Sequence, residues 1–80
     1  MANISPGDII ELVPDETPEH YGYWLEGQGL VLSMDSKEIL IQMFFLNKIN
    51  KKNFSVIELK DTRLSLDTEK VSSSLFKILA

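Results

Sequence analysis

The chain has no cysteine among its 80 residues. That excludes disulfide staples, thiolate metal ligands and a cysteine nucleophile, and it fits a reducing, cytosolic setting. There is one histidine, His20, and no Gly-x-Ser-x-Gly sequence, so a serine-hydrolase elbow is absent. No apolar run approaches the roughly 18 residues a membrane-crossing helix needs. The opening Met-Ala-Asn-Ile-Ser-Pro has neither the basic start nor the apolar stretch of a signal peptide. Residues 1–26 contain no lysine or arginine. No internal repeat or low-complexity tract is present.

What remains is enough for one small domain. The composition is 44% hydrophobic, with four Phe, two Tyr and one Trp. A domain of this size buries only about 60% of the surface its unfolded chain exposes, so large apolar side chains must supply most of its stability. The net charge is −4, unevenly spread. Asp8, Glu11, Asp15, Glu16, Glu19 and Glu26 make the first 26 residues acidic. Residues 47–63 carry Lys48, Lys51, Lys52, Lys60 and Arg63 against Glu58 and Asp61. Such polarity is either ordinary solvated loops or a charged docking face, which would alter association rate more than affinity.

Local signals predict a strand-rich chain. Pro6-Gly7-Asp8 reads as a turn, since proline fixes φ and glycine tolerates positive φ. A first strand is expected over about 8–13, ended by Pro14. Residues 14–24, Pro-Asp-Glu-Thr-Pro-Glu-His-Tyr-Gly-Tyr-Trp, read as a long loop. A loop this long in so small a domain is usually functional. Leu25 to Met34 is the second strand, and Gly27 and Gly29 within it mark a bulge, a bend or close backbone approach. Asp35-Ser36-Lys37 is a hairpin turn. Glu38 to Leu46 is the strongest strand signal, apolar on both faces, and the C-terminal segment is a candidate cover for one of them. Asn47 to Asn53 is polar loop chemistry. Phe54–Leu59 and Arg63–Leu66 complete five strands, the last expected to close a barrel. In residues 68–79, Val71, Leu75, Ile78 and Leu79 recur at helical spacing behind a plausible cap at Asp67, although Ser72-Ser73-Ser74 weakens a helix. The fold class is therefore all-β: a five-stranded small barrel over 1–66 with a short C-terminal helix or tail over 67–80. Ile10, Leu12, Val31, Ile39, Ile41, Met43, Phe54 and Val56 are expected to share its core.

Few residues carry chemistry. His20 as a general base needs a nucleophile or an orienting carboxylate, and Glu16 and Glu19 are its only close neighbours in sequence. Asp15, Glu16, Glu19 and His20 match no metal-loop spacing, and Pro18 interrupts them. Gly27-x-Gly29 lacks the third glycine and following helix of a dinucleotide site. No catalytic residue, cofactor or metal is assigned. Tyr21, Tyr23 and Trp24 admit three readings: closing one end of the core, anchoring a protein interface, or stacking on bases. Base stacking normally comes with basic residues, and this acidic loop repels phosphate. The candidate protein-binding residues are Glu19, His20, Tyr21, Tyr23 and Trp24, with Lys48, Lys51 and Lys52 as the one basic cluster. The apolar tail implies self-docking or a surface for a partner, including a second copy of the chain.

The motifs fall in a recognisable order: Ile4-Ser5-Pro6-Gly7-Asp8, the Tyr-Gly-Tyr loop, Gln28-Gly29-Leu30-Val31, Ile39-x-Ile41-x-Met43 and Asn53-Phe54-x-Val56-x-Glu58-Leu59. Over residues 4–60 this order resembles the small Src-homology-3-like barrel proteins of cyanobacteria and plastids. These include the photosystem I subunit PsaE, subunit S of the NAD(P)H dehydrogenase-like complex and the variable chain of ferredoxin–thioredoxin reductase. The resemblance implies a non-catalytic accessory subunit that docks onto a larger complex, for instance in photosynthetic electron transfer at the cytoplasmic face of thylakoids. Two of those relatives use basic residues to help ferredoxin dock; the basic residues here are Lys48, Lys51, Lys52, Lys60 and Arg63. Two other roles compete: a small nucleic-acid-binding barrel, and a phage-type or stress-type inhibitor that sets its acidic face against a basic site.

Overall fold

The computed structural model describes residues 3–13, 25–48, 56–71 and 75–80. They form six strands, β1 (Ile9–Leu12), β2 (Leu25–Met34), β3 (Glu38–Lys48), β4 (Val56–Lys60), β5 (Arg63–Asp67) and β6 (Phe76–Ile78). All belong to one antiparallel sheet in the order β4-β5-β3-β2-β1-β6. The five expected strands are present within a residue or two of their expected ends.

The turns form for the expected reasons. Ser5 to Asp8 has type II geometry: the Asp8 N–H donates to the Ser5 carbonyl at 3.1 Å, and Gly7 has φ +96°. A β-carbon on Gly7 would meet nothing within 4 Å, so backbone conformation alone asks for glycine there. The Asp8 carboxylate accepts the Ser5 N–H at 2.8 Å, and the Gly7 N–H donates to the Val31 carbonyl at 2.8 Å, which ties this turn to β2. At the β2–β3 hairpin, the Asp35 carboxylate accepts the N–H groups of Lys37 and Glu38 at 2.7 and 2.8 Å.

Two expectations about arrangement are corrected. The fifth strand does not close on the first: β5 lies between β3 and β4, and the place beside β1 belongs to β6. The tail does not supply the expected helix among its described residues: Phe76–Ile78 is a strand, and no α-helix occurs among the described residues. Asp67 does cap a turn. Its side chain accepts the Glu69 N–H at 2.9 Å, and its carbonyl accepts the Lys70 and Val71 N–H groups at 3.1 Å. Helix nucleation is costly and only propagation repays it. Here the chain beyond that turn pairs with β1 instead, placing Ile10 opposite Ile78 and Leu12 opposite Phe76. Thr68 clamps the turn to the β2–β3 hairpin, its hydroxyl donating to the Asp35 carbonyl at 2.9 Å and its N–H to the Lys37 carbonyl at 3.1 Å.

The core gathers Ile10, Leu12, Val31, Ile39, Ile41 and Met43, as expected, and adds Ile4, Leu64, Leu66, Val71, Leu75 and Phe76. Phe54 lies outside the described residues; Val56 is placed by its backbone, opposite Leu66. The tail thus covers the inner face through Val71, Leu75 and Phe76, while Ile78 and Leu79 stay exposed. It does not cover the outer face of β3, where Phe44 is exposed.

Candidate functional site

Side chains alternate across a strand with period two, so one extra residue in a strand reverses every later side chain. This sheet contains three such insertions. Between β2 and β3 the register runs from Gln28 opposite Phe45 to Gly29 opposite Met43, leaving Phe44 as the extra residue. It runs again from Val31 opposite Ile41 to Ser33 opposite Leu40, leaving Leu32. Between β4 and β5 it runs from Val56 opposite Leu66 to Glu58 opposite Ser65, leaving Ile57. The inward sequence on β3 is therefore Ile39, Ile41, Met43 and then Leu46, and Leu46 packs against the core. Met34 on β2 and Leu59 on β4 pack against it for the same reason.

Each insertion places a large apolar side chain on the surface. Phe44 is 57% exposed, Phe45 49%, Ile57 53% and Leu32 36%. Phe44 and Phe45 are neighbours in sequence, yet both face out, because the bulge interrupts the alternation between them. What allows the bulge lies across the ladder. A β-carbon on Gly27 would collide with the Phe45 carbonyl oxygen, and it would come within 2.9 Å of the Met43 methyl. A β-carbon on Gly29 would sit 2.6 Å from the Gln42 carbonyl oxygen. The two glycines let β3 fold tightly over β2, which is the close-approach reading of the Gly-x-Gly step.

Beyond Phe44, the outer face of β3, β5 and β4 forms a polar groove of about 410 Å³ lined by Leu40, Gln42, Glu58, Lys60, Asp61, Thr62, Arg63 and Ser65. Gln42 is its organiser. Its amide nitrogen donates to the Thr62 hydroxyl at 2.5 Å and to the Met43 carbonyl at 3.3 Å, and its oxygen accepts from Arg63 Nε at 3.3 Å. The Met43 N–H donates to the Thr62 carbonyl at 2.7 Å, fixing the β4–β5 turn against β3. In that turn Asp61 takes the left-handed region with φ 54°. Deeper in the groove the buried Ser65 donates its hydroxyl to Glu38 Oε2 at 2.7 Å.

Of the residues singled out in the sequence, Glu19, His20, Tyr21, Tyr23, Trp24, Lys51 and Lys52 lie outside the described residues. Lys48 ends β3 with its backbone opposite Leu25. Sequence reasoning missed Phe44, Phe45, Leu32, Ile57 and the groove. One signal pointed toward the first pair: two adjacent aromatics at the end of a strand whose partner carries a Gly-x-Gly step. No helix among the described residues is long and apolar enough to cross a membrane. Protein-family models, curated proteins and solved structures give no match to this chain.

Proposed function

We propose that the protein is a non-catalytic binding domain that docks onto another protein, as an accessory or regulatory part of a larger assembly. The observation that carries this reading is the outward pair Phe44 and Phe45, held on a bulge that two glycines make possible. Aromatic rings are the side chains most often found as energetic anchors of protein interfaces. A surface that spends strand regularity on exposing two of them is suited to being covered. The finer reading, an accessory subunit of a photosynthetic electron-transfer complex with a barrel of the Src-homology-3 type, rests on the order of sequence motifs.

The test compares the wild-type chain with the double variant F44S/F45S. Tagged forms are expressed in the native host, captured complexes are identified by mass spectrometry, and the captured protein is purified for titration calorimetry. The expected result is one stoichiometric partner whose affinity falls by about 100-fold in the double variant, the scale of losing an interface anchor. Equal affinity of the two forms would overturn the reading. Co-migration of the wild-type chain with thylakoid complexes on native gels is the expected result for the finer assignment, and its absence would remove that assignment alone.

A further inference from the structure

The β4–β5 hairpin pairs Lys60 directly with Arg63, two cations facing each other across neighbouring strands on the outer, solvent-exposed side. Like charges at directly opposed positions destabilise a strand pair. The chain has only eight basic residues against twelve acidic ones, so a neutralising partner was available by composition. Among the described residues neither cation hydrogen-bonds a carboxylate, although Glu58 and Asp61 line the same groove. Arg63 is instead oriented by an amide: its Nε is engaged by Gln42, which Thr62 and the Met43 carbonyl hold in turn. A guanidinium held by its Nε keeps its terminal amino groups as a fork for a planar oxyanion.

We propose that this groove receives a single carboxylate from the partner protein, clamped between Arg63 and Lys60, with the adjoining Phe44 and Phe45 covered by apolar residues of the same segment. This inference rests on the protein-binding reading above and specifies how the partner is recognised. The walls select the occupant. Glu58 and Asp61 repel a chain of closely spaced negative charges, and the protein as a whole carries −4. A nucleic-acid backbone or a strongly acidic protein is therefore disfavoured. One carboxylate flanked by uncharged or apolar residues satisfies the two cations and leaves the acids to accept N–H groups of the bound segment.

The experiment titrates the full ¹⁵N-labelled chain with acetyl-Leu-Glu-Phe-amide, with its Gln counterpart, and with a thymidine octamer. The Glu peptide is expected to shift the Arg63 Nε–H, the Gln42 side-chain amide and the Lys60 and Thr62 backbone amides saturably. Its affinity should exceed that of the Gln peptide about tenfold, the usual advantage of charge-assisted hydrogen bonds. R63Q and K60Q, each giving the dispersed spectrum of a folded chain, are expected to erase that difference. Equal affinity for the two peptides, shifts confined to other surfaces, or tighter binding of the octamer would overturn the proposal, the last assigning the groove to nucleic acid. The purified partner separates this inference from the broader one. Full affinity in R63Q with loss in F44S/F45S rejects the carboxylate clamp only, whereas full affinity in both variants rejects both.

Discussion

Gly29 lies opposite Met43, and a β-carbon on it would stand 2.9 Å from the Met43 sulfur and 2.6 Å from the Gln42 carbonyl oxygen. Met43 directly precedes the extra residue Phe44, and the Gln42 carbonyl is backbone that cannot swing away. The fold of the outer face and the packing of the inner one therefore meet at a missing methyl group.

Gly29→Ala should lower stability by about 1–3 kcal/mol, the range for overpacking a close contact. Urea unfolding checks it. Gly7→Ala should also cost about 1 kcal/mol or more, through its positive φ and without any clash. The two differ in what a larger residue does. Gly29→Val should worsen the loss, while Gly7→Asn should recover part of it, because asparagine tolerates the left-handed region.

Phe76→Ala should cost about 3–5 kcal/mol, as expected for a buried phenylalanine, and Ile78→Ala should cost much less because that side chain is exposed. A helical tail with Val71, Leu75, Ile78 and Leu79 on one buried face predicts comparable losses at Leu75 and Ile78. Thermal or urea melts of the single variants distinguish the two arrangements.

Asp35 gives a pH dependence of known sign. The backbone N–H groups of Lys37 and then Glu38 hold its carboxylate below the ordinary value of 3.8. The unfolded chain binds that proton more readily, at about pH 3.9. The hairpin contribution is therefore fully present above that pH and is lost as pH falls through the lower folded value. Carbon-detected titration of the Asp35 carboxyl should show the depressed midpoint. Asp35→Asn should flatten the matching part of the stability profile between the two pKa values; an unchanged profile would mean the turn contributes nothing to it.

Phe44→Ser with Phe45→Ser should change stability little, within about 1 kcal/mol, since both rings are half in water already. Unfolding of the double variant well before the wild type would mean that the rings serve the fold rather than a partner.

Much of the fold was legible in local sequence because local chemistry decides it. Pro6-Gly7-Asp8 dictates its turn through fixed and positive φ, Asp35 draws in the amides of Lys37 and Glu38, and the apolar pattern from Ile39 to Met43 names the inner face of β3. Period two puts Leu32 and Phe44 on the outer face, where they are exposed, and then fails one residue on, at Ser33, Phe45 and Glu58, because a bulge is a property of two strands and only one of them is in view. The glycines at 27 and 29 announced close approach but not which residue across the ladder would be pushed outward.

The tail shows the same limit. Val71, Leu75, Ile78 and Leu79 fit a helix, and Asp67 caps one turn of it. Whether the chain continued as helix or as strand depended on a free edge at β1, some sixty residues earlier in the sequence. Turns, strand positions and the aliphatic heart of the core are set by the sequence alone, through backbone preferences acting over a few residues. Strand order, the sixth strand, the outward rings and the polar groove were decided by tertiary structure, because each depends on pairings between segments whose mutual fit no local propensity encodes.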